Sequence, residues 1–423
     1  MANSRKKFLQ QIGAGIIMSG WPSISKAGHT FDPAVDMNDF KDEGAADDEK
    51  YWKHIAQKYY NVSKDYINLE NGYYGIQPAP VLKAYQKNIL LANREAARFA
   101  RKVFPETYVT IKKELADFLQ VSADEIIITR NATEALNLAI QGYPFKEGDE
   151  VLLNQLDYFS MIEAFRMLEK RGRIKVNAFE MPLLPANEDE IVDHYRKMIT
   201  EKTRIILLTH VSNINGLIVP VQKITAMAKE KGIDTITDSA HALGQVGFSL
   251  PALGSDFVGM NLHKWIGNPI GAGILYIKKE RIKEMNVLFG DVNTAEDNIS
   301  KLAHFGTTPF AVIMTIPESL AFHKLMGIDK VSNRLHYLKS VWINELNQVD
   351  KVEIVTPAGL SCAIGSFRIR DKKSTDVADF LFKNENILTV SRTLGQDGCV
   401  RVTPAIYNLM DDIRKLISAV KAI

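Results

Sequence analysis

Cysteine is nearly absent: Cys362 and Cys399 are the only two in 423 residues, and neither belongs to a CxxC pair. A disulfide framework and a cysteine-built zinc or redox site are thereby excluded. Charge of one sign is lacking too, since 52 Lys and Arg stand against 50 Asp and Glu, a net charge of +2. That leaves no global positive field for grasping nucleic acid. The longest apolar run, between Ile12 and Ile24, is about half the ~20 residues a spanning helix needs, which argues against a stable membrane anchor. There is no GxGxxG and no GxxxxGK[ST], so neither dinucleotides nor P-loop nucleotides are indicated. What is present is a chain 46% hydrophobic and 24% charged, long enough to bury one or two substantial cores.

The opening string MANSRKKFLQQIGAGIIMSGWPSISKA passes from a basic start (Arg5, Lys6, Lys7) through the apolar run to small residues near Ala27. This is the layout of an export signal over 1–27. Its SRKKFLQ portion resembles the twin-arginine signal, with Lys6 where the second arginine is usual. Such export carries folded proteins, so periplasmic residence is the expectation and cytoplasmic residence the alternative. Residues 28–50, rich in Asp, Glu, Gly and Ala, read as a solvated linker, with ordered structure starting near Tyr51.

Between Glu125 and Ile277 the runs EIIIT, EVLLN, KVNAFEM, RIILLTHV, DTITDS, DFVGMN and GAGILYI follow one another. Helix-like segments such as NATEALNLAI, SMIEAFRMLEKRG and VQKITAMAKEKG separate the first five. This alternation predicts an α/β fold with a mostly parallel, seven-stranded, doubly wound sheet. Beyond 289 the pattern changes to helices at 331–346, 375–383 and 411–420 around strand-like VEIVT and SCAIGSFRI. A smaller α+β C-terminal domain over 289–423 is expected, with the large domain at 76–288 and an N-terminal segment, 51–75, packing with the small domain.

Ligands of open α/β sheets sit at the carboxyl ends of the strands, which selects the residues to inspect. After EIIIT, the turn Arg130-Asn131-Ala132-Thr133 feeds a helix whose free N–H groups and Thr133 hydroxyl could hold a phosphate. Taken alone it is an ordinary N-cap. Tyr158 follows EVLLN and could stack on a flat ring, although core aromatics are common. Asn213 follows RIILL in a turn and could donate to a ring oxygen. The fifth run ends at Asp238, near Ser239 and His241, and a buried carboxylate there demands a cation or donors. The sixth leads to Asn261, His263 and Lys264, a lysine framed by His and Trp whose desolvation would make it a Schiff-base nucleophile. Pyridoxal 5'-phosphate (PLP) needs these four parts: a lysine for its aldehyde, a carboxylate for its pyridine nitrogen, a ring stacker and a phosphate cradle.

The strings YINLENGYYG, TRNATEALNLAI, HVSNINGLIVPV, TDSAHALGQV, NLHKWIGNPIGAGILYI, FGTTP and VRVTPAIYN resemble the class V aminotransferases among fold-type I PLP-dependent enzymes, in their isopenicillin N epimerase-like and cysteine desulfurase-like branch. The resemblance implies that Lys264 holds the cofactor and that Asp238 partners its ring nitrogen. His241 and Asn213 would lie on the ring-hydroxyl side and Tyr158 on the ring face. Ala132, Thr133, Asn261 and His263 would surround the phosphate, with Gly306 and Thr307 reaching that of a neighbouring subunit. Arg401, with Arg392 as a second anion contact, would bind the substrate carboxylate, and Asn71 and Tyr73 would face the substrate. A homodimer with composite sites is implied.

The expected activity is epimerase or aminotransferase chemistry on the α-amino group of an amino acid or peptide-like substrate. Lys264, Asp238 and His241 would be catalytic. Elimination of a β- or γ-substituent is the alternative, and a catalytically silent PLP-binding protein is the reading from another class. Desulfurases carry a cysteine in an RTG-like string, whereas Ser391-Arg392-Thr393-Leu394-Gly395 continues without one. A metal hydrolase built on His210, Asp238, His241 and His263 lacks HExxH-like spacing, so no metal is expected.

Overall fold

The structure, a computed structural model, describes residues 35–41, 44–291 and 293–423. The export-signal reading of 1–27 lies outside these residues. Thirteen strands among them are β1 (Ile67–Asn68), β2 (Ile126–Thr129), β3 (Glu150–Asn154), β4 (Lys175–Phe179), β5 (Thr203–Thr209), β6 (Asp234–Asp238), β7 (Phe257–Asn261), β8 (Gly273–Ile277), β9 (Val352–Ile354), β10 (Gly365–Ile369), β11 (Ile387–Leu388), β12 (Val390–Arg392) and β13 (Cys399–Val402). The central sheet has the order β2-β8-β7-β6-β5-β3-β4. Six of its strands run one way and β8 alone is antiparallel to both neighbours.

Both faces of this sheet are covered, which is why its strands read as near-continuous apolar runs. The period of two divides each strand between two cores. Ile126, Ile128, Leu152, Ile206, Leu208, Val258 and Met260 face one layer of helices, where Ile111, Leu115, Ile191 and Ile224 pack. Ile127, Val151, Leu153, Ile205, Leu207 and Phe257 face the other, where Leu136, Met161, Phe165 and Leu168 pack. Two long helical segments, Ala79–Lys102, kinked at Ala96, and Phe104–Leu119, precede the sheet and had no counterpart in the sequence reading.

A second sheet, β12-β13-β10-β9, is antiparallel and is backed by helices Ile328–Leu346, Ser374–Glu385 and Met410–Ala422. Val400 and Val402 of β13 point into its core with Trp342, Phe367, Ile413 and Leu416. Alternation therefore turns Arg401 to the opposite face, toward the large sheet. Strand β1 pairs in parallel with β11, and the bridge from Glu70 to Thr403 extends that pairing. The chain then crosses to the loop after β7, where the Gly75 N–H donates to the His263 carbonyl at 2.9 Å.

The linker reading of 28–50 needs correction at its C-terminal end. Asp48 caps the helix Glu49–Tyr59, so helix starts before Tyr51. Upstream, Asp39 accepts from Lys58 at 2.7 Å, from the Tyr59 hydroxyl at 2.7 Å and pairs with His54 at 3.0 Å. Burial works against ionisation, but these hydrogen bonds outweigh it and hold the Asp39 carboxyl down at about 2. The fully buried Arg334 guanidinium then ties this segment to the small domain through Glu49 and the Ala46 carbonyl. Low apolar periodicity was a poor guide because two isolated apolar residues, Val35 and Phe40, together with the charge pairing of Asp39, seat the segment on the buried face of the helix Glu49–Tyr59.

Candidate active site

The carboxyl ends of β2, β3, β5, β6 and β7 converge on Lys264. Asp238 closes β6 and is 3% exposed, with Oδ1 accepting the Ala240 N–H at 2.9 Å. Desolvation raises its pKa, while that N–H and the charge on Lys264 oppose the rise. Lys264 Nζ lies 3.0 Å from His241 Nε2. Desolvation, then Arg401, pull the Lys264 pKa down to about 7 against Asp238, with Arg392 adding to the fall and Glu70 opposing it. Desolvation, Lys264 and the two arginines depress His241 well below its ordinary value, so it is neutral. His263 falls to about 4 through desolvation and Lys264, and its Nδ1 meets the Ala272 carbonyl at 3.3 Å.

The helix Ala132–Gly142 starts at this edge, with the Asn131 side chain accepting from the Glu134 N–H at 2.9 Å. Asn261 Oδ1 accepts from the Ala132 N–H at 2.8 Å. Ala132 and Asn261 thus spend these groups on each other, locking the helix start to β7, and Thr133 offers its N–H and hydroxyl. Tyr158 is half-buried beside them, its N–H reaching the Thr209 hydroxyl at 3.3 Å.

Arg401 is 1% exposed and donates from Nη1 to the Asn213 carbonyl at 2.8 Å. Its Nη2 is bonded to Glu70, which also accepts from Arg392 Nη2 at 3.3 Å. Asn71, expected to face the substrate, lies buried in the loop after β1. Its amide donates to the Asn68, Thr403 and Asn408 oxygens and accepts from Asn68 and Tyr407, so it pins the loop. Tyr73 is 68% exposed, and Gly306 and Thr307 are exposed, none of the three touching Lys264 within this chain.

Two residues went unnoticed in the sequence. Glu70 is one, and a counter-ion for a buried arginine was to be expected on energetic grounds alone. Asp157 is the other: it accepts from the N–H groups of Asn154 at 2.8 Å and Thr209 at 3.0 Å, joining the ends of β3 and β5 next to Tyr158. Desolvation pushes its carboxyl up to about 7. Like Asp238 it is a carboxylate at a strand end, the one signal that could have found it.

Glycine is required at 75 by close approach, since a β-carbon there would run into the Lys264 carbonyl oxygen. Gly75→Ala is expected to cost about 1–3 kcal/mol, read by thermal denaturation, because backbone rather than a flexible side chain must yield.

This edge and fold define a fold-type I PLP-dependent α/β enzyme. The aminotransferase class-V profile matches residues 75–416, and the chain belongs to that family. It is 25% identical over 392 residues to isopenicillin N epimerase of Amycolatopsis lactamdurans, covering 86% of this chain and 97% of the epimerase. A probable cysteine desulfurase of Xylella fastidiosa is 24% identical over 335 residues, covering 74% and 79%. Among solved structures, C-DES with glycine covalently linked to its PLP cofactor superposes with a TM-score of 0.74 at 19% identity, over 85% and 97% of the two chains.

The residues present fit PLP. His241 Nδ1 and Asn213 Oδ1 are buried with no partner among the described residues, and a polar ring would supply one. Among the described residues no group of three His, Cys, Asp or Glu is placed to hold a metal, and no helix is long and apolar enough to cross a membrane.

Only a neutral amine attacks an aldehyde, so the depressed Lys264 pKa has a kinetic consequence. Capture of PLP by cofactor-free protein should accelerate as pH rises through the neutral range, not near 10.5. Arg401→Gln removes a nearby positive charge, so the Lys264 pKa rises and the inflection moves to higher pH. Absorbance-detected reconstitution across pH checks both.

Proposed function

We propose that the protein acts at the α-carbon of an amino acid or a peptide-borne amino acid, moving its α-proton in epimerase or aminotransferase chemistry. The observation carrying this is the pairing of Lys264 with neutral His241 at 3.0 Å, within the field of a buried arginine. PLP, when bound, supplies an electron sink for a carbanion at that carbon. Lys264 would hold its aldehyde, Asp238 its ring nitrogen, Thr133 its phosphate and Tyr158 its ring face, with His241 and Asn213 beside its hydroxyl.

With its pKa lowered to about 7, about half of Lys264 is neutral near pH 7, and the neutral Nζ would be able to take a proton. His241 Nε2 positions that amine. Arg401, held by Asn213 and Glu70, would orient the substrate carboxylate and thereby the bond to be broken. Persulfide-forming chemistry is disfavoured in this reading, because both thiols are buried and desolvation pushes each up to about 11.

The quaternary and cellular parts of the proposal are a homodimer, in which exposed Gly306 and Thr307 serve the partner's phosphate, and export of the loaded protein. Light scattering and N-terminal sequencing of cell fractions test these.

The holoprotein should be incubated with pooled amino acids and small peptides in deuterated water. Solvent deuterium at the α-carbon with the amine retained marks epimerisation, and keto acid marks transamination. Release of a β- or γ-substituent, of sulfur from cysteine, or no spectral change with any compound, contradicts the proposal.

A further inference from the structure

Arg392 and Arg401 converge on one carboxylate, Glu70, which Thr403 also approaches with its hydroxyl at 3.4 Å. Two guanidinium charges thus share one negative charge, in a site where Arg401 is fully buried and Glu70 nearly so. The Nε atoms of both arginines are buried without a partner among the described residues. Unmet donors of this kind in a buried site cost stability unless an acceptor arrives. One anion would satisfy them, and the charge left over by Glu70 is also one.

We propose that Glu70 is a specificity-determining residue: by neutralising one of the two arginines it limits the site to a single substrate carboxylate and rejects a second. This rests on Arg401 as the carboxylate anchor. Glu70 is fixed in place by its own backbone, since residue 70 bridges Thr403 beside the parallel pair β1 and β11. From that fixed backbone its side chain bonds the guanidinium of Arg401, which also donates to the Asn213 carbonyl. A substrate bearing two carboxylates would set its second one against Glu70, a like-charge contact in a site poor in water.

Amine-free carboxylates isolate this step from catalysis. Propionate and succinate would be titrated calorimetrically into holoprotein, wild type and variants, with thermal melting as the check of folding. Wild type should prefer propionate. Glu70→Gln keeps an acceptor for Arg401 while removing the charge, so succinate should gain at least about tenfold relative to propionate. Glu70→Asp keeps the charge and should retain the wild-type preference. A folded Glu70→Gln protein with an unchanged succinate-to-propionate ratio, or weaker binding of both, would overturn the proposal. If instead Arg401→Gln binds propionate as wild type does, the anchoring role itself is wrong, a failure separable from that of Glu70.

Discussion

Asp238→Asn should lower turnover by about 100- to 1,000-fold while leaving the fold intact, the range found when one preorganised electrostatic partner is removed from an active site. The side chain is 3% exposed and is held by one backbone N–H, which by itself is little compensation for a buried charge. Asn has the same shape and removes the charge. In cofactor-free protein that exchange relieves a desolvation cost, so the melting temperature should stay level or rise. In loaded protein, on the proposed arrangement, the ring nitrogen would lose the carboxylate that keeps it protonated, and the electron sink would weaken. A fall in turnover together with unchanged cofactor-free stability is the expected pair. Turnover within a factor of a few of wild type would remove Asp238 from the chemistry.

Lys264→Ala should abolish covalent attachment of PLP and reduce activity by at least about 100- to 10,000-fold, the contribution of a positioned proton-transfer group, with the loss of tethering in addition. Asp238, Thr133 and Tyr158 would still offer the cofactor a non-covalent place. Removing the amine leaves His241 Nε2 without its neighbour at 3.0 Å, next to an Nδ1 that already has no partner. Neutral His241 cannot replace the amine as an imine-forming group. Added small primary amines should restore part of the activity, and a variant as active as wild type would end the role assigned to Lys264.

The large sheet was legible because its chemistry is local. Strands buried on both faces carry continuous apolar runs, and 126–128, 205–208 and 257–260 are such runs, with polar residues confined to the strand ends. The strand-end rule then led to Asp238, Asn261 and Lys264 with no structure in hand. Segment Ala79–Lys102, broken at Ala96, buries only Pro80, Val81 and Phe99, so burial within this chain does not explain its apolar face. The loop-pinning bonds of Asn71 were not legible because its partners, Thr403, Tyr407 and Asn408, lie more than 330 residues away. Arg401 meets Glu70 for the same reason. Strand periodicity could place an arginine between Val400 and Val402, but only the packing of β1 onto β11 brings a carboxylate to it. The solvated-linker reading failed through Asp39, whose three hydrogen-bond partners sit between one and three turns along a helix that composition did not announce.

The central claim is that Lys264, its charge suppressed by burial and by two arginines, is the residue that captures the cofactor. Borohydride reduction of the holoprotein followed by peptide mapping tests it most directly. The account predicts one pyridoxyl group per chain, on the peptide carrying Asn261-Leu262-His263-Lys264-Trp265. A pyridoxyl group on another lysine, or none on protein that binds PLP, would contradict it.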